Sequence, residues 1–108
     1  RATVRFFEGS RARILLLSRD GTQSAAIIAA GGAQIVGPDG TALARSASPL
    51  EPGRWDDVLL VLESGAGRLY VDGELAAEAR GLAAGPGTWA IEAEGRRVDV
   101  RGLAVRGL

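Results

Sequence analysis

The sequence predicts an all-β protein, an antiparallel sandwich or barrel of about ten short strands. Three observations carry that prediction. Apolar residues recur at every second position through most of the chain, the period of a strand with one buried face. Sixteen glycines and four prolines interrupt these stretches, setting turn signals at roughly 8–12-residue intervals, as in all-β folds. The 108 residues, 46% of them hydrophobic, suffice for a single domain, 1–108, burying roughly 65% of the unfolded chain's surface.

In order along the chain, Ala2–Phe7 alternates, with Ala2, Val4 and Phe6 on one face and Thr3, Arg5 and Phe7 on the other. Glu8-Gly9-Ser10 turns into Arg11–Ser18, whose run Ile14-Leu15-Leu16-Leu17 is bounded closely by turn signals and reads as a strand. Gln23–Ala30 follows, its alanines compatible with helix as well as strand. Gly31-Gly32 turns into the short strand Ala33–Val36. Pro38-Asp39-Gly40 is a strong turn, since proline presets φ and glycine accepts a positive one, and Thr41–Arg45 is the next strand. Ser46–Gly53, with Pro49 and Pro52, is a loop.

The chain is organised around the stretch Gly53–Gly73. Strand Arg54–Glu63 is expected to turn through Ser64-Gly65-Ala66-Gly67 into strand Arg68–Asp72, with Glu63 opposite Arg68. Val58, Leu60, Leu62, Leu69 and Val71 then share a wholly apolar face. The opposite face is mixed, carrying Asp57, Leu59, Val61, Glu63, Arg68, Tyr70 and Asp72. A strand apolar on both faces usually lies inside a sheet with its second face covered. A bulged turn at Asp72-Gly73 would send Leu75, Ala77 and Ala79 of strand Glu74–Ala79 to the core. Arg80–Gly87 is a loop. In Thr88–Glu94 the positions Trp89, Ile91 and Ala93 are expected inside. The last strand, Arg97–Leu108, slips phase at Arg101-Gly102, as at a β-bulge.

Composition removes several function classes. The 13 basic and 13 acidic residues cancel, so there is no cationic surplus to hold a phosphate backbone, and nucleic-acid binding is not expected. No apolar run approaches the ~20 residues of a membrane-spanning helix, so membrane insertion is not expected. Cysteine and histidine are both absent, which excludes disulfides, thiol catalysis and the commonest metal ligand and general base. Every basic residue is arginine; with the abundant alanine and glycine, this points to a GC-rich, bacterial genome. The chain begins at Arg1 without methionine, which a cleaved signal peptide or an excised fragment would each explain.

Gly53 and Trp55 before an alternating strand, then Leu69-Tyr70-Val71-Asp72-Gly73, then the closing Val98–Leu108 run, resemble the concanavalin A-like lectin/glucanase superfamily, with its laminin-G-like and pentraxin-like jelly rolls. The resemblance implies an antiparallel two-sheet jelly-roll sandwich, with one sheet often concave and ligand-binding. The chain is short for such folds. An opening strand absent or supplied by a neighbour would leave an unpaired edge. The superfamily holds sugar binders, protein binders, glycosidases and structural domains, so function rests on the site.

A glycosidase needs two carboxylates across the sugar bond. Glu92 and Glu94 share a strand face, but the run Ala90–Glu94 lacks the central Asp of the superfamily's glucanases. It reads as a solvated strand face, and no catalytic residue is assigned. Asp56 and Asp57 are neighbours on a strand and point to opposite faces, a poor pair for one calcium ion. Calcium occurs in many of the similar proteins, but no motif here supports it, and no cofactor is assigned. Of the aromatic residues, Trp55 and Trp89 read as packing. Tyr70, on the mixed face, is the first candidate for ligand contact, and Phe7 is the second. The expectation is a non-catalytic recognition module, secreted or on a cell surface, that binds carbohydrate or protein. The alternative is an assembly subunit forming a homo-oligomer or filament.

Overall fold

The computed structural model describes residues 1–18, 21, 23–29, 32–46, 51–63, 65–82, 87–95 and 97–104. Ten strands run in chain order: β1 Ala2–Phe6, β2 Arg11–Ser18, β3 Gln23–Ala29, β4 Gly32–Val36, β5 Ala42–Ser46, β6 Trp55–Glu63, β7 Ala66–Val71, β8 Glu74–Ala79, β9 Gly87–Glu94 and β10 Val98–Arg101. They form two five-stranded antiparallel sheets with the orders β10-β1-β6-β7-β8 (sheet I) and β5-β4-β3-β2-β9 (sheet II). The Ile14–Leu17 run and the alanine-rich β3 are both strands, paired with each other, consistent with a jelly-roll sandwich.

Alternation supplies the core. Val4, Phe6, Val58, Leu69 and Val71 point inward from sheet I, and Ala12, Ile28, Ala33 and Ile35 meet them from sheet II. Each fully buried large side chain among these contributes ~2 kcal/mol relative to exposure. The sheets close firmly along one side, where β8 lies across β4 and β5. Among the described residues they do not close on the other, where β9 and β10 form the outer strands.

Four expectations need correction. The β6–β7 turn is two residues, Ser64-Gly65 (Ser64 lies outside the described residues), so Glu63 faces Ala66 and Leu60 faces Leu69. The register differs by two, which leaves every side chain on its expected face. Arg68 pairs instead with Glu78 of β8, at 3.0 Å. Second, Asp72 and Gly73 are both left-handed, at φ 51° and 82°, the geometry of a two-residue hairpin turn whose twist suits the flanking strands. The bulge falls later, at Ala76, between the pairs Tyr70–Leu75 and Leu69–Ala77. Ala77 and Ala79 still reach the core, but Leu75 stands beside Tyr70, 53% exposed.

Third, Leu62 faces the core side of β6 yet is exposed, because it sits at the end of the strand. Fourth, Trp89 is 43% exposed and Ala93 is exposed too. Their direction is as expected, since they share a face with Ile91 and lie opposite Leu16 and Ala12. Cover is what they lack, because β9 is an edge strand. Val100 and Leu103, at 41% and 49%, are exposed on the same side of the sandwich. The phase slip at Gly102 (φ 63°) is present: Arg101 pairs with Thr3, yet Ala104 N–H donates to Arg1 O at 2.8 Å. Residues 105–108 of the expected last strand lie outside the described residues.

Asp56 points inward beside Val4 and is 1% exposed. Arg54 donates to its Oδ1 at 3.1 Å, whereas its Oδ2 receives no donor among the described residues. Burial, and then the neighbouring Asp72 carboxyl, push the Asp56 carboxyl up to about 6. Asp72 is held low by its hydrogen bond with Asp56 and by Asp57 N–H, which donates at 2.8 Å. Of the two acids Asp56 is therefore the one that holds a proton, below a pH of about 6. Because the folded chain binds this proton more tightly than the unfolded chain does, Asp56 favours folding near pH 4, and that contribution is lost as pH rises through about 6.

Two outcomes follow. Asp56→Asn, which mimics the protonated acid, should gain stability relative to the parent between pH 4.5 and pH 7, in urea melts at both. A difference that does not change with pH would show that Asp56 is ionised throughout. Gly95, at φ 96°, would carry a Cβ only 2.5 Å from Gly9 O and 2.7 Å from Ser10 Cα. Gly95→Ala should therefore cost about 3 kcal/mol and lower Tm by more than ~10 °C.

Candidate functional site

The outward face of sheet I carries the side chains that the core does not use, and it divides into two halves. On the β6–β7–β8 half, Leu59, Tyr70 and Leu75 lie side by side in one row. The next row is Val61, Arg68 and Glu78. Beyond it an open hollow of about 540 Å³ is lined by Val61, Glu63, Ala66, Arg68, Arg80 and Leu82, among others, within the size range of small-ligand sites. At its edge Leu82 turns its side chain into the core over Gly67; a Cβ on Gly67 would lie 2.5 Å from Leu82 Cδ1. Leu82 N–H donates to Gly65 O at 2.9 Å, which ties the segment after β8 to the β6–β7 turn. Arg80 is exposed at the rim. Tyr70 is partly buried between its leucine neighbours. This half therefore offers an aromatic and aliphatic floor, two guanidinium groups and two carboxylates.

The β10–β1–β6 half is a stack that the sequence reading did not assemble. Arg101 lies over Trp55 at 4.0 Å, Arg5 over Trp55 at 4.6 Å and over Phe7 at 5.4 Å, and Arg97 over Phe7 at 4.9 Å. Guanidinium planes and rings thus alternate in the order Arg101, Trp55, Arg5, Phe7, Arg97, an arrangement favoured by the negative face of each ring. Asp99 binds the middle and the end: Arg97 Nε donates to it at 2.7 Å and Arg5 Nε at 3.0 Å. Arg97, then Arg5, hold its carboxyl below the usual range. The signal was present as Arg5 and Phe7 two apart on one strand and Arg97, Asp99 and Arg101 two apart on another. Only the pairing of β1 with both β6 and β10 brings them together.

Tyr70 and Phe7 therefore share a face but lie at its opposite ends. Arg5 is level with Trp55 and Tyr70 with Leu59, so Phe7 and Tyr70 stand six residues apart along the strands, roughly 20 Å. Phe7 is pressed between two guanidinium groups, whereas Tyr70 is flanked by Leu59 and Leu75 and stacked by no cation among the described residues. Trp55 packs as expected, on the outward side. Asp56 and Asp57 do point to opposite faces, with Asp57 bound by Arg1 at 2.6 Å.

Glu92 and Glu94 lie on the outward face of sheet II, opposite Arg13 and Arg11. Glu94 is bound by Arg11 and, at 3.3 Å, by Arg13, which hold its carboxyl low; an acid so held is a poor proton donor at neutral pH. Among the described residues no group of three or more acidic, histidine or cysteine side chains is placed to hold a metal ion, and no helix is long and apolar enough to cross a membrane.

No curated protein and no solved structure matches the chain. Residues 1–100 match the laminin-G family described as the Concanavalin A-like lectin/glucanases superfamily, and the chain, with its two antiparallel sheets and jelly-roll order, belongs to that family.

Proposed function

We propose that this chain is a non-catalytic recognition module that takes a carbohydrate or protein ligand on the outward face of sheet I. The observation that carries the reading is the Leu59–Tyr70–Leu75 row, with a hollow rimmed by Arg68, Arg80 and Glu63 one row beyond it on the same face. A sugar ring has an apolar face of axial C–H groups and a rim of hydroxyls. An aromatic ring with free π-surface takes the first, and a planar guanidinium with several donors takes the second. A protein loop with an apolar side chain flanked by polar groups presents the same chemistry. The membership of sugar and protein binders in the superfamily supports this class, as does the tethering of Glu94, the better placed of the two acids weighed for glycosidase chemistry. A secreted or cell-surface location belongs with the same reading.

Phe7 is the second contact point in this proposal, reached only by a ligand that spans the face. Glycan screening with and without calcium, followed by titration with oligosaccharides of increasing length, tests it. Tyr70→Ala should weaken every ligand about tenfold, equivalent to ~1.4 kcal/mol. Phe7→Ala should weaken only those longer than about 20 Å. Unchanged affinity in Tyr70→Ala would remove this face as the site.

A further inference from the structure

Asp56 is the one charged side chain among the buried described residues. It lies where β6 begins and the β7–β8 hairpin turns. Arg54 donates to it from Nη2 at 3.0 Å and from Nε at 3.1 Å, and both bonds fall on the same oxygen, Oδ1. Oδ2, equally buried, receives no donor among the described residues. An ionised carboxylate is costly in such a place.

The turn brings a second acid. Asp57 N–H donates to Asp72 Oδ1 at 2.8 Å, which sets the Asp72 carboxylate against the peptide bond joining Asp56 to Asp57. Asp72 N–H donates in return to Asp57 O at 2.8 Å. These two hydrogen bonds clasp the turn to the start of β6. They also hold Asp72 in a left-handed backbone, φ 51°, which glycine adopts more readily.

We propose that this clasp is a proton-gated latch: with Asp56 neutral the Asp72-Gly73 turn closes on β6, and with Asp56 ionised the turn lifts away and loosens the hairpin that carries Tyr70 and Leu75. Ionisation sets two carboxylates beside each other with one guanidinium between them, and water or distance relieves the repulsion. The surroundings decide which part moves. On β1 the residue paired with Asp56 is the apolar Val4, while Arg5 faces outward over Trp55. On its own strand Asp57 faces outward, bound by Arg1. Glu51 acts on Arg54. The buried described residues of both sheets hold no other charge. The Asp72 carboxylate is thus the charge that opposes Asp56, and it stands on an exposed two-residue turn, whereas the remaining neighbours are packed in strands.

The sign follows from linkage. Burial and then Asp72 push the Asp56 carboxyl up to about 6 in the closed form, above its range once water reaches it. Closure is therefore favoured in acid and lost as pH rises through about 6. Tyr70 and Leu75 pair across the hairpin, one step in from the pair Val71 and Glu74 next to the turn, so opening reaches the row on the outward face. The latch stands without the recognition reading; only an effect on ligand affinity would rest on it.

Amide hydrogen exchange of the whole chain at about pH 5 and pH 7, corrected for the intrinsic rise of exchange with pH, tests the proposal. The Asp57 and Asp72 amides should lose about tenfold in protection at the higher pH, and the Tyr70 ring resonances should shift with the same midpoint. The Ile14 and Ile28 amides, on the inner strands β2 and β3, should lose less. Asp56→Asn should keep the clasp protected at both values. Asp72→Asn should do the same, since it removes the opposing charge and retains the acceptor for Asp57 N–H. Equal losses in the hairpin and in the inner strands would show a uniform fall in stability and overturn the latch. Protection unchanged between the two values overturns it, as does a Tyr70 ring indifferent to pH or a loss that persists in either variant.

Discussion

Hiding one apolar face of each sheet against the other is the constraint from which the remaining features follow. Alternation gives every strand an inward row, and the inward rows of β1, β6 and β7 meet those of β3 and β4 where the layers overlap fully. Overlap is lateral as well as facial. Along the side where β8 crosses β4 and β5, the residue bulged at Ala76 and the small Ala77 and Ala79 let the layers approach. Along the other side, the layers end in strands with larger apolar residues and, among the described residues, no third element to seal them. A two-layer fold of this size has little core to spare, so the open side is where its chemistry is least satisfied internally.

The outward faces solve a different problem. With arginine as the only basic residue, the surface is held by planar cations that bind carboxylates through two donors and stack on rings. One half of sheet I uses them to clamp β10, β1 and β6 together from outside, with Asp99 at the centre. The other half carries one such pair, Arg68 with Glu78, between Tyr70 and the hollow. Rigidity beside an uncommitted aromatic surface is the arrangement expected of a scaffolded binding face. The one acid that alternation forced inward, Asp56, is accommodated by an ion pair with Arg54 and by a carboxyl pushed up by burial and by Asp72.

Strand number, strand direction and most facings were legible from the two-residue period alone, because a register error of two leaves facing intact. That is why Val58, Leu60, Leu69 and Val71 were placed correctly although the turn between β6 and β7 is tighter than expected. Leu75 was misplaced because the period cannot distinguish a bulge in the turn from one two residues later. Trp89 was misjudged for another reason. Alternation reports direction, and burial depends on which strand ends up overhead, a matter of topology that no local pattern encodes. The same limit hid the stack around Arg5, whose members come from three strands distant in sequence. Tyr70 emerged as a candidate from facing alone; the hollow a row beyond it needed the segment after β8 to meet the β6–β7 turn in space.

The central position of β1 in sheet I has a kinetic meaning. Strands β2 to β5 form a meander of neighbours, as do β6 to β8, and each can zip from its own turns at low loop-closure cost. β1 has no such neighbour: Val4 waits for Asp56 on one side and for Val100 on the other. β2 likewise waits for β9. The last strands to emerge during synthesis are therefore the ones that stitch the first strands in, and the fold acquires its long-range contacts late, as a cooperative step. Until then, the nascent chain exposes the whole inward row of β1, Ala2, Val4 and Phe6, beside the hydrophobic row of β2.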